Sequence, residues 1–172
     1  RAIESLAGEI RQQLLMRSMG GSSSKLGELL KRLTEIDRHY LKKENFFFPY
    51  MEKYGITAPP KVMWGVDDEI REEIKAVLGL YDATGDAPRE RIEALLGRIQ
   101  EMVFKEENIM LPMLLENLTL DEWKRIADEE ADFGYCLIDP PPAWSPAEGG
   151  KPMESAPQAA SGEVSGRSAV RS

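Results

Sequence analysis

His39-Tyr40-Leu41-Lys42-Lys43-Glu44-Asn45-Phe46-Phe47-Phe48-Pro49-Tyr50-Met51-Glu52 is the stretch on which the fold turns. It holds the only histidine of the sequence, its densest aromatic run, and a carboxylate, Glu44, where a helix should be apolar. It also recurs. Glu106-Glu107-Asn108-Ile109-Met110-Leu111-Pro112-Met113-Leu114-Leu115-Glu116 repeats the order Glu-Asn, three apolar residues, proline, further apolar residues and a closing glutamate. A duplicated helical motif with inward acids points to a metal site or to the remains of one.

Working outward, hydrophobic periodicity makes the flanking chain helical. Ile3, Leu6, Ile10 and Leu14 form a stripe over 1–17, which Gly20-Gly21-Ser22-Ser23-Ser24 ends. A second helix is expected over 25–54, on Leu26, Leu29, Leu30, Leu33, Ile36, Tyr40, Phe47 and Met51. Pro49 lies inside it and predicts a kink or an end near Phe48. Gly55 suits the C-terminal cap. A third helix is expected over 61–81 and a fourth from Asp86 and Pro88 to about Asn117, with Pro112 at the place of Pro49. Thr119-Leu120-Asp121-Glu122 is a capping box flanked by Leu118 and Trp123, so a short fifth helix follows over 120–132. Phe133 to Ile138 reads as a short extended segment against the bundle. The expected architecture is all-α, an antiparallel four-helix bundle with a short fifth helix and an irregular C-terminal tail. The bundle domain spans 1–146, and 147–172, rich in Gly, Ser, Ala and Pro, reads as a disordered linker.

Composition narrows the function. At 172 residues, 42% of them hydrophobic, the chain supports one core and a tail. A net charge of −8 argues against nucleic-acid or anionic-membrane partners, which need basic patches. There is no apolar run near the roughly 18 residues of a membrane span and no leader pattern. Cys136 stands alone and reads as a small buried apolar residue. These features favour a cytoplasmic protein. The sequence opens at Arg1 already in helical pattern, so its first helix is expected to begin upstream.

Projecting each helix at about 100° per residue puts Glu44, Asp67 and Glu106 inside the apolar arcs of three different helices. His39, Asp37 and Glu107 fall nearer the edges. Buried carboxylates need neutralising. A hard cation held by acids and one imidazole would do this, and iron or manganese fits such a donor set in a bundle core. The other readings stay open. Glu44 could pair with Lys43 or a core tyrosine, Asp67 could be an early-turn acid, and Glu106 and Glu107 could be surface acids.

At these residues the chain resembles the hemerythrin-like family of cation-binding bundles, whose line runs from a histidine through acids to an apolar-Phe-Pro segment ending in Leu-Glu. His39–Glu52 and Met102–Glu116 both match that layout. Arg38 to Asn45, Pro60 to Arg71, Phe104 to Asn108 and Gly134-Tyr135-Cys136-Leu137 are similar to a branch in which a PAS-type sensor domain follows the bundle. The resemblance implies a non-haem iron site used for sensing, in which His39 matches a histidine ligand, Glu106 the acid of the second repeat, and Glu44 would substitute for the first; with the inward placement of the acids, the candidate metal ligands are His39, Glu44, Asp67, Glu106 and Glu107. Three departures stand out. Lys43 lies four residues after His39, where an acid is expected; Met102 replaces the second repeat's histidine; and Asp67 replaces another. The reading is therefore a cytoplasmic sensor or regulatory module, not an enzyme. It would hold iron through carboxylates and one histidine, and signal to a downstream sensor domain or act as a homo-oligomer. The alternative is a metal-free bundle with a structural or protein-interaction role.

Overall fold

A computed structural model describes residues 1–21 and 25–142. The glycine-serine break at 22–24 and the linker expected over 147–172 lie outside the described residues. Helix α1 is Ala2–Ser18, α2 runs over 26–53, α3 is Ala58–Thr84, α4 runs over 89–117, and α5 is Leu120–Glu130. The described residues contain no strand. Helix α1 packs on α2 and α4, and α3 packs on the same two, so the first four helices close into a bundle around one core. The ends of α2 and α4 also touch, because alternate helices run the same way.

Local chemistry explains the boundaries. Pro59 and Pro60 sit in the first turn of α3, where a missing N–H costs nothing, so that helix starts earlier than its apolar stripe. Gly55 adopts φ +79 beyond α2, and Ile56 N–H returns to the Met51 carbonyl at 2.9 Å, a glycine-terminated cap. The capping box forms in both directions: Glu122 N–H donates to Thr119 Oγ1 at 3.3 Å and Thr119 N–H to Glu122 Oε2 at 2.8 Å. Helix α4 has no such cap. It opens at Arg89, with Pro88 just outside, and Asp86 Oδ1 accepts from Ala87 N–H and pairs with Arg17 Nη1 at 3.0 Å, so it does not cap the helix.

Neither proline ends its helix. Each is preceded by one wide turn, over Lys43–Phe47 in α2 and Glu106–Met110 in α4, in which Phe48 and Leu111 N–H bond back five residues. Proline lacks an N–H and its ring crowds the carbonyl four residues earlier, and a π turn absorbs both effects without a break. The asparagine of each repeat completes the turn, Asn45 Nδ2 donating to the Leu41 carbonyl at 2.7 Å and Asn108 Nδ2 to that of Phe104 at 2.8 Å. The extra residue shifts the register. Phe48 is buried, while Phe47, the expected core residue, is only partly so.

The core is aliphatic. Leu6, Ile10, Leu30, Ile70, Ile92 and Leu95 are each at most 1% exposed, and each such side chain contributes roughly 1.5–3 kcal/mol. After α5 the chain makes a 3₁₀ turn at Ala131–Phe133 and crosses α2 as an irregular segment, not an extended strand. It is held there by Phe133 edge-on to Phe46, by Lys42 Nζ 3.9 Å from the Tyr135 ring centre, and by Leu137 N–H donating to Glu35. No described helix is long and apolar enough to cross a membrane.

Candidate functional site: a lysine where the two repeats meet

The two π turns face each other, and each brings the same repeat position to the bundle axis. In α4 that position is Glu106; in α2 it is Lys43. The Lys43 side chain is completely buried, and its ammonium donates to Glu106 Oε1 and, at 2.8 Å, to Asp67 Oδ1 from the middle of α3. It also lies 4.5 Å from the centre of the Tyr40 ring, a cation–π contact one turn earlier in α2. His39 closes the outer side, its Nε2–H meeting Glu106 Oε2 at 2.7 Å.

A second cation handles the remaining inward acid. Arg71, four residues after Asp67 in α3, grips Glu44 with both ends of its guanidinium at 2.7 and 3.0 Å. The same group donates to Asp37 at 2.5 Å and Asp68 at 2.9 Å. These bonds outweigh the effect of burial and hold the guanidinium firmly protonated.

The electrostatics of the inner group follow from burial and partners. Burial pushes the Asp67 carboxyl up to about 7, although the charge and hydrogen bond of Lys43 pull the other way. Burial acts on Glu106 too, but the bond and charge of His39 and then the charge of Lys43 keep it below the ordinary carboxylate range. Tyr40 is held neutral by burial and by the neighbouring Asp67 and Glu106. Asp67 Oδ2 and the Tyr40 hydroxyl are buried with no hydrogen-bond partner among the described residues.

The candidate ligands thus separate. His39 meets Glu106 directly, and Asp67 and Glu106 are brought together through the ammonium of Lys43. Glu44 is buried and turned to Arg71, and Glu107 is exposed. Asp67 lies deep in α3, not in its first turn. Met102 is packed in the core. Among the described residues no three His, Cys, Asp or Glu side chains are grouped to hold an ion. Iron does not fit this donor set, because the point on which Asp67 and Glu106 converge already carries a fixed positive charge. Lys43 and Arg71 were the residues that sequence reasoning did not place in the site. The available signal was the spacing of four that sets Lys43 on the face of His39, and Arg71 on that of Asp67.

Residues 1–114 match the hemerythrin HHE cation binding domain, a span that includes α1 to α3, both π turns and most of α4. The chain belongs to the hemerythrin family. No curated protein matches it. The family's description is of cation binding, and this hemerythrin domain places a cation of its own, Lys43, between the acids of two other helices.

Proposed function

We propose that this hemerythrin domain is a regulatory module that works without the family metal, with the Lys43 ammonium serving as the fixed cation of its centre. The observation that carries the reading is the fully buried Lys43 Nζ bonded to both Asp67 and Glu106. A metal ion placed there would face an ammonium across a few ångströms with little water to screen it. The centre is therefore a buried polar network that fixes the packing of α2, α3 and α4, and the module performs no catalytic step.

The regulatory part of the reading draws on the C-terminal segment. Glu35, Arg38, Lys42 and Phe46 lie along one side of α2 and hold 133–137, while Tyr40 and Lys43 of the same helix turn inward. A change at the centre that moved α2 would act directly on the segment leading toward residue 142, and the similarity to the PAS-associated branch makes a downstream sensor domain the expected receiver.

The test is reconstitution of purified protein with ferrous iron without oxygen, desalting, and metal analysis. The expected result is iron far below one equivalent and a melting temperature unchanged by added iron. About one iron per chain, lost in Asp67→Ala and Glu106→Ala, would overturn the reading.

A further inference from the structure

The π turns act outward as well as inward. Lys43 and Phe47 begin and end the same wide turn of α2, so the turn that brings the lysine to the centre leaves Phe47 only partly buried. Phe47 meets Trp123 of α5, with ring centres 6.1 Å apart. These two rings form the floor of a groove of about 540 Å³ between α5 and the end of α4. Its walls are leucines. Leu111, which follows the π turn of α4, is 41% exposed, Leu115 63% and Leu120 57%. Single apolar residues on a surface are ordinary, but three large ones around one groove mark an interaction surface.

Shape selects a helix as its occupant. Leu120, Trp123, Ala127 and Glu130 lie at i, i+3, i+7 and i+10 along one face of α5, over about 15 Å or roughly three turns. Leu111 and Leu115, four residues apart, supply the facing row on α4. A channel between two helical rows takes a third helix that inserts an apolar side chain every three or four residues.

Charge selects the kind of helix. The groove is lined by one charged group, Glu130, which Lys42 meets at 3.8 Å. One residue on from Leu120, Trp123 and Ala127 stand Asp121, Lys124 and Asp128, and Lys124 already bonds Asp128 at 3.1 Å. Arg125, two residues from Trp123, falls on the opposite face of α5. On α4, Glu116 follows Leu115, and no basic residue occurs from 106 to 117. The last turn of α5 holds no base, and the helix end there adds a partial negative charge of its own. The border is therefore acidic, and the chain as a whole carries −8. A second copy would bring the same excess of acid to the contact, whereas a basic helix complements it.

We propose that this groove docks an amphipathic helix of a partner protein, apolar on one face and flanked by lysine or arginine. The inference rests on the reading of this domain as a regulatory module, and it supplies the surface through which the module acts. Phe47 and Leu111 adjoin the centre through the chain itself: Phe47 ends the turn that Lys43 begins, and Leu111 N–H bonds back to the Glu106 carbonyl.

The test is fluorescence anisotropy of the full chain with a labelled synthetic peptide of about four turns. Its leucines recur at i, i+3, i+4 and i+7, lysines flank them, and alanines fill the rest. The controls are a version with glutamate for lysine and a scrambled version of the same composition. The lysine peptide should bind at one per chain, about tenfold or more tighter than either control. Leu115→Ala combined with Leu120→Ala, both at exposed positions, should weaken it about tenfold through the loss of two leucine contacts. Circular dichroism and the urea midpoint of that variant should match the wild type. The inference is overturned if the lysine peptide fails to bind, if either control binds as well, or if the double variant binds it unchanged. A dimer in sedimentation velocity that the double variant dissolves would place a second copy in the groove and overturn it too. So would displacement of the lysine peptide by a synthetic peptide of residues 143–172. Metal analysis of the same samples separates the two readings. Stoichiometric iron overturns the role given to Lys43, whereas iron-free protein that ignores the lysine peptide overturns the groove alone.

Discussion

Replacing Lys43 with methionine removes the ammonium from the centre while keeping a flexible chain of similar length. The Lys43 and Asp67 side chains have no exposure and Glu106 has 9%, so water cannot replace the lost charge. Removing one partner of a buried ion pair costs about 3–5 kcal/mol, because the other partner stays buried and uncompensated. Asp67 limits that loss. Its carboxyl is already raised to about 7 with Lys43 beside it, and without Lys43 it rises further and takes up a proton near neutrality. The cost should therefore depend on pH, reaching about 4 kcal/mol at pH 8.5 and falling to about 2 kcal/mol at pH 5.5, where Glu106 alone is deprived of its ammonium. Urea denaturation followed by circular dichroism at both pH values measures it. For a domain of this size the alkaline loss corresponds to a melting temperature lower by roughly 8–16 °C. A Lys43→Met, Asp67→Asn double variant should recover much of the loss at pH 8.5, since no ionised group is then left at position 67. A loss under about 1 kcal/mol at both pH values would refute the reasoning: the ammonium would not be what neutralises the two acids.

Asp67→Asn carries its own pH signature. A carboxyl whose folded pKa is raised from 3.8 to about 7 contributes stability that is complete below its ordinary value and is lost as pH rises through the folded one. The wild type should therefore lose up to about 4 kcal/mol relative to the variant between pH 4 and pH 7.5, measured as the difference between their stability–pH curves. Arg71→Ala strips the buried Glu44, whose side chain is 4% exposed, of its bidentate partner, and should destabilise by about 3 kcal/mol in urea titrations. Glu44→Gln in that background should return part of the loss.

The bundle was legible because its helices are amphipathic and their ends carry ordinary punctuation, as at Gly55 and the Thr119–Glu122 box. The inward direction of Glu44, Asp67 and Glu106 was legible for the same reason, and all three are buried. The details that failed share one cause. A projection at 100° per residue assumes an unbroken α-helix, and each proline is accommodated by an inserted π turn. That turn lets Lys43 and Glu44 both reach the interior, puts Phe48 in the place expected for Phe47, and carries the helix past Pro49. The partners of the acids were not legible. Glu44 could be matched with its neighbour Lys43 from sequence, but its actual partner, Arg71, lies on another helix, and only packing decides which of two nearby cations it meets.

The repeat gives the substitution at position 43 its meaning. Aligning the two π turns pairs His39 with Met102, Lys43 with Glu106, and Glu44 with Glu107. At each of the first two pairs one half keeps a residue of the family's metal-binding type and the other does not. A centre with an acid at both 43 and 106 would need an external cation to hold the repeats together. With lysine at one and glutamate at the other, the same two positions attract each other directly. The single positive charge is less than a metal ion would bring, and the rest of the site is consistent with that deficit. Asp67 sits close to protonation at neutral pH, Glu106 is shared with His39, and Glu44 is turned away to Arg71. Restoring an acid at position 43 alone would thus place three carboxylates together without a counterion, so the lysine at position 43 and the arrangement of the surrounding charges are one coupled feature of this domain.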